Sequence, residues 1–156
     1  MHHDFELAGR RVRLWQRTGE SYEHVLMKAL GYAMFVAEFP ALEIERRVGL
    51  RYKPDLVARG AGREFEAPFA FWGECGQTSV RKTAWLLKHA GVARLVLFKI
   101  INNTAALVEE LRAAVQPRYR EPERLVLINF VGDIATLTRE RRIERVLESW
   151  YTRTVV

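Results

Sequence analysis

The sequence predicts an α/β layered domain, and three observations carry that prediction. At 156 residues the chain has the length of one domain able to bury a sizeable core. Segments of helical periodicity alternate with short apolar runs in the order helix, strands, helix, strand, helix, strand. Several of those runs are almost continuously apolar, as strands covered on both faces must be. No linker composition and no internal repeat interrupts the series, so residues 1–156 are expected to form a single domain.

The elements follow in order. Residues 5–17 place a Gly9 turn between two extended stretches in which Val12 and Leu14 alternate with Arg11 and Arg13, a hairpin or an edge strand. Thr18 offers an N-cap and Glu20 sits where the dipole of a following helix favours a carboxylate. From Ser21 to about Ala37 the apolar residues Tyr22, Val25, Leu26, Ala29, Leu30 and Ala33 recur at helical spacing, and Pro40 closes the helix. A strand is expected around Ile44–Val48, and a second over Asp55–Arg59. Gly60-Ala61-Gly62 turns the chain into an apolar strand, Phe69–Cys75, which Gly76 ends. Ser79–His89 is helical with a stop signal at Gly91. Arg94–Ile101 is a buried strand, Thr104–Val115 a helix ended near Pro117, and Leu125–Val131 a further strand. The tail, 133–156, fits either a helix through Ile143, Val146, Leu147 and Trp150 or a terminal hairpin.

Composition narrows the class. Hydrophobic residues make up 49% of the chain and charged residues 28%, which suits a folded soluble protein. No apolar run approaches the roughly 20 residues a membrane span requires. The first residues, Met1-His2-His3-Asp4-Phe5, do not read as a secretory signal. Cys75 is the lone cysteine, so neither an internal disulfide nor a cysteine zinc site is expected. A cytoplasmic protein without membrane association is the expectation. The net charge of +6 comes mostly from arginine, 20 of the 25 basic residues. Arginine's planar fork of donors matches phosphate oxygens better than lysine does. Clusters at Arg10/Arg11/Arg13/Arg17, Arg46/Arg47/Arg51/Lys53 and Arg139/Arg141/Arg142/Arg145 suit nucleic acid, or equally a solvated surface, because no aromatic stacking platform is interleaved with them in sequence.

The chemistry-bearing stretch is KPDLVARGAGREFEAPFAFWGECGQ, residues 53–77. Asp55 opens one strand and Glu74 closes the next. If the two pair with Asp55 opposite Glu74, then Val57 faces Trp72, Arg59 faces Ala70, and 60–69 form the loop. Directly opposed residues have Cβ atoms about 4.5–5.5 Å apart. Two carboxylates that close need a compensating cation or a shared proton. A hard divalent ion, Mg²⁺ or Mn²⁺, is the natural compensator, and simple solvated strand ends are the competing explanation.

The same stretch resembles the PD-(D/E)XK superfamily of metal-dependent nucleases, whose core carries a Pro-Asp dipeptide on one strand and Glu-x-Lys on the next. More narrowly it looks like the YaeQ-like family within it. The likeness rests on ESYEHVLMKALGYAM (20–34), PDL (54–56) and WGECGQ (72–77), in order across roughly residues 18–100. It implies a restriction-endonuclease-like mixed central sheet flanked by helices. It also implies that Asp55, Glu74 and the Cys75 carbonyl would hold the metal, and that Glu20 or Glu23 would approach from the first helix, directly or through water. Gln77 and a basic residue of the following helix would orient phosphate or water. The superfamily's lysine is missing, because its position here is Gly76. Arg81 cannot act as a base in its place; Lys82 or Lys99 can be brought near by the fold, though each also reads as an ordinary solvated lysine.

Other candidates are weaker. His24, without a ligand partner at i+4, reads as structural or surface. Cys75 reads as a buried filler rather than a nucleophile. Trp15, Trp72, Trp85 and Trp150 read as core rather than base-stacking residues, and Gly60-x-Gly62 lacks the context of a dinucleotide loop. The expected function is a metal-dependent phosphodiester hydrolase acting on DNA or RNA, with Asp55, Glu74, Gln77 and Lys82 in catalysis. The alternative is a catalytically degenerate nuclease-fold module that binds nucleic acid or a protein partner, and a small-molecule enzyme reusing the fold is a third.

Overall fold

Ala8 and Gly9 both adopt positive φ and reverse the chain between β1 (His2–Leu7) and β2 (Arg10–Trp15). This computed structural model describes residues 1–156. The two strands form an antiparallel hairpin with Phe5 opposite Val12 and His3 opposite Leu14. Alternation sends Phe5, Leu7 and Leu14 inward and leaves Arg11, Arg13 and Trp15 outward.

Helix α1 spans Tyr22–Phe35 and ends two residues before the expected limit. Its cap is Ser21, whose hydroxyl accepts the His24 N–H at 3.1 Å, so Thr18 does not cap it. Val25, Leu26, Ala29 and Leu30 are all fully buried. The helix is apolar on most of its circumference because it lies between two sheets. At Gly31 the approach is closest: a Cβ there would come within 2.6 Å of Leu56 and 2.9 Å of Phe98.

The expected strand at 44–48 shrinks to β3 (Glu43–Ile44), and residues after it are irregular up to β4 (Leu56–Arg59). Then follow β5 (Phe69–Cys75), α2 (Val80–His89), β6 (Leu95–Lys99), α3 (Ala105–Ala114), a single turn α4 (Pro117–Arg120) and β7 (Leu125–Phe130). The tail is neither one helix nor a simple hairpin. A short α5 (Ile134–Leu137) leads to β8 (Arg142–Ile143), then a 3-10 turn at Glu148–Trp150, then β9 (Tyr151–Val155). Ile143 and Val146 plug the core as isolated side chains, which explains why their spacing mimics a helix.

The main sheet has the order β3-β4-β5-β6-β7-β9. Strands β5, β6 and β7 run parallel and are joined through helices, while β4 and β9 run antiparallel to them. The architecture is therefore a mixed central sheet flanked by helices. One face packs Phe71, Phe98 and Phe130 beneath α1 and the small sheet β2-β1-β8. The opposite face packs Trp72, Leu95 and Leu97 beneath Leu86 and Leu87 of α2 and Leu111 of α3. No helix is long and apolar enough to cross a membrane.

A candidate acidic site at the sheet edge

Strand β4 is antiparallel to β5, so its beginning lies at the end of β5, beside the carboxyl ends of the parallel strands. That edge is where open α/β sheets commonly bind ligands. Leu56 pairs with Gly73 and Val57 with Trp72. The Asp55 N–H donates to the Gly73 carbonyl at 3.1 Å, carrying the register on so that Asp55 comes opposite Glu74. The pairing expected farther along fails. A bulge between Ala58 and Arg59 sets Arg59 against Phe69 instead of Ala70, away from the site.

Each carboxylate is already engaged by the protein. Glu74 is buried, and its two oxygens are split between two donors. The Trp72 indole N–H, two residues back on the same strand face, donates to Oε1 at 2.8 Å, and Lys82 Nζ, from the first turn of α2, donates to Oε2 at 3.1 Å. Burial pushes the Glu74 carboxyl above its usual range and the Asp55 charge adds to that, against the opposing pull of Trp72 and Lys82. Asp55 Oδ2 accepts the Cys75 N–H at 2.7 Å. Burial alone would raise Asp55, but the His24 imidazole beside it, the Cys75 N–H and Lys28 outweigh burial and hold it below the ordinary value.

Helix α1 supplies a stripe at i, i+4, i+8 that the sequence displays but that its spacing alone did not single out: Glu20, His24, Lys28. Lys28 is 2% exposed. Its ammonium lies 2.6 Å from Glu20 and 2.9 Å from Glu45, a residue at positive φ just after β3. Burial works to lower the Lys28 pKa, and the two carboxylates reverse the direction. His24 Nδ1 lies 2.9 Å from Glu20. Its Nε2 is buried, has no hydrogen-bond partner, and lies 3.6 Å from Asp55 Oδ2. His24 thus belongs to the site rather than to the surface. Glu45 was invisible in sequence, because only the fold of the 45–55 segment brings it to α1.

Other expected participants stand apart. Glu23 is exposed and forms no ion pair, because it is one residue off the inward stripe. Gln77 is exposed and makes no side-chain hydrogen bond to the acids. Arg81 is exposed on α2. Gly76 has φ +77, a left-handed conformation that suits glycine and strains a lysine. Its carbonyl accepts Lys99 Nζ from β6. Burial lowers the Lys99 pKa and raises that of the Cys75 thiol far up, which leaves Cys75 an inert filler.

No three His, Cys, Asp or Glu side chains converge closely enough to hold a metal ion, and the oxygens of Glu74 and Asp55 Oδ2 already accept protein donors. The arrangement pairs Glu74 with Lys82 on one side of the sheet edge, and on the other sets Lys28 between Glu20 and Glu45 with His24 beside Asp55. A concave surface of about 530 Å³ lies elsewhere, against the small sheet. There Arg11, Arg13, Arg141 and Arg142 are interspersed with Asp4, Glu6 and Glu140, and Arg13 and Arg142 are paired with Asp4 and Glu6.

The aromatic side chains divide by place. Trp72 is core, but Trp15 is half exposed against His2. Tyr52 and Trp85 pack edge to face at 5.3 Å, with Lys82 4.9 Å and Arg51 5.4 Å from the Tyr52 ring. Aromatic rings and cations that are not interleaved in the linear sequence are therefore brought together in space, from an irregular segment and a helix.

No protein-family model and no curated protein sequence matches the chain. Among solved structures it is similar to the YaeQ protein from Xanthomonas axonopodis pv. citri, with a TM-score of 0.60 and 16% identity over 90% of this chain and 80% of that one. It is also similar to the YaeQ protein from Pseudomonas syringae, with a TM-score of 0.58 and 16% identity over 89% of this chain and 76% of that one. At this identity the likeness is one of fold.

Proposed function

We propose that this chain is a nucleic-acid-binding module built on a restriction-endonuclease-like fold of PD-(D/E)XK lineage, in which the acidic centre has become a structural ion-pair cluster. The observation that carries the proposal is the internal satisfaction of the acidic pair. Both Glu74 oxygens and Asp55 Oδ2 accept protein donors, Lys82 is paired with Glu74, and Lys28 is paired with Glu20 and Glu45 beside them. The net charge of +6, mostly arginine, supplies the attraction for a polyanion. The two YaeQ structures support a YaeQ-like fold through shape alone, and the PD-(D/E)XK lineage rests on the sequence motifs at 54–56 and 72–77.

One observation favours the second reading, a Mg²⁺- or Mn²⁺-dependent phosphodiester hydrolase. His24 Nε2 is buried without a partner beside Asp55, and Lys82 meets Glu74 from the helix after the strand. The test compares wild type with Asp55→Asn and Glu74→Gln, each checked for folding by circular dichroism. The proposal predicts that all three bind an end-labelled oligonucleotide alike at low salt, with or without Mn²⁺, and leave it intact. Cleavage in Mn²⁺ by wild type and by neither variant would establish the hydrolase instead. Absence of any nucleic-acid binding would leave a protein partner as the ligand.

A further inference from the structure

We infer that the nucleic-acid contact runs along a basic and aromatic ridge made by segment 46–53, the outer face of α2 and the turn α4, and that its ligand is single-stranded. The inference rests on the nucleic-acid reading above and adds to it the surface and the strand state. Residues 46–53 (RRVGLRYK), α2 (VRKTAWLLKH) and α4 (PRYR) together hold nine arginines and lysines and no acid. Elsewhere on the surface arginines are interspersed with carboxylates, as at the small sheet. Along this ridge Arg46 is paired with Glu43 and Lys82 with Glu74, and the other seven cations have no carboxylate partner.

Helix α2 shows the pattern most clearly. Thr83, Leu86 and Leu87 are its buried face. The opposite arc, at 100° per residue, carries Lys88, Arg81, Trp85, His89 and Lys82. Two of those cations, Arg81 and Lys82, occupy the first turn, where the helix dipole disfavours positive charge, and the first turn has no acid to offset them. Lys82 is paired with Glu74, but Arg81 is exposed with no carboxylate partner, and folding gains nothing from its placement there. A polyanion does.

The rings alternate with the cations. Tyr52 lies between Arg51 and Lys82 and against Trp85, whose ring centre is 5.9 Å from that of His89. Farther along, Tyr119 of α4 lies between Lys88 at 5.6 Å and Arg118 at 4.6 Å. Tyr52, Trp85 and Tyr119 are only partly buried, so each leaves ring surface at the protein boundary. Cations that track a phosphate backbone, spaced by rings on which bases stack, are the means by which proteins hold single strands. Duplex bases keep their faces covered, and the ridge has no Asn or Gln to read adenine edges in a groove.

The test titrates the full chain, at low salt, with three labelled 12-nucleotide probes: oligothymidylate, the same backbone with abasic residues, and a duplex of equal length. Oligothymidylate should bind at least about tenfold more tightly than the abasic strand, the difference expected of a few stacked bases, and more tightly than the duplex. Tyr52→Ala and Trp85→Ala should erase that preference, and Trp85→Phe should keep most of it. Lys88→Glu with Arg118→Glu, both exposed or at the surface of the ridge, should weaken every probe, whereas Arg145→Glu should change little. Equal binding of the three probes by wild type, or a base preference untouched in Tyr52→Ala and Trp85→Ala with Lys88→Glu/Arg118→Glu inert, would overturn the ridge while leaving nucleic-acid binding standing. No binding of any probe would remove the underlying function as well.

Discussion

Asp55 and Glu74 were legible as a facing pair because neighbouring strands of known register make opposition a matter of counting. Their surroundings were not, because His24 reaches Asp55, and Lys28 joins Glu20 to Glu45 beside it, only through the seating of α1 on the sheet and the course of the 45–55 segment. Burial raises Glu74, while His24, the Cys75 N–H and Lys28 overcome burial at Asp55, so the two acids behave oppositely with pH. Asp55 is held low, so it adds stability above its ordinary value of 3.8 and loses it as pH falls through the lower folded value. Glu74 is pushed up, so its contribution is present below its ordinary value of 4.5 and is lost as pH rises through the folded value. Urea unfolding from about pH 3 to about pH 7 should therefore show Glu74→Gln gaining on wild type as pH rises, and Asp55→Asn falling behind it. Parallel trends in the two variants would mean that the pair does not sit in the environments described.

Among the elements, α1, β5, α2, β6, α3 and β7 were readable from period and stop signals, with errors of one or two residues at their ends. The cap moved from Thr18 to Ser21 because only Ser21 reaches the His24 N–H. The tail stayed open between helix and hairpin because Ile143, at the end of β8, and Val146 insert into the core, and β9 forms by pairing with β7, a contact no local pattern encodes. The fit of α1 on the sheet was equally hidden. It depends on Gly31 meeting Leu56 and Phe98, with Gly73 giving room from below. Gly31→Ala should cost about 1–3 kcal/mol by overpacking, and by lifting α1 it should disturb Lys28 and His24 over the acids. Gly132→Ala, with nothing within 4 Å, should stay within about 0.5 kcal/mol of wild type. Chemical denaturation of the two variants compares them directly, and equal stability would contradict the close seating of α1.

For the whole molecule, the sequence disclosed how much basic charge there is but not where it gathers. Segment 46–53, α2 and α4 are far apart in the chain, and only the fold joins them beside the acidic edge. Glu74 at that edge is paired with Lys82, whereas most cations along the ridge have no carboxylate partner, so phosphate should be held by the ridge without a metal. The decisive quantity is the salt dependence of oligonucleotide affinity in wild type and in the Asp55→Asn/Glu74→Gln double variant, both in chelator. If about five phosphates are neutralised, affinity should fall by roughly three to four powers of ten for each tenfold rise in salt, with the same slope in both proteins. A flat dependence, or binding that vanishes in chelator or in the double variant, would show that a metal held by those acids, and not the arginine and lysine surface, grips the ligand.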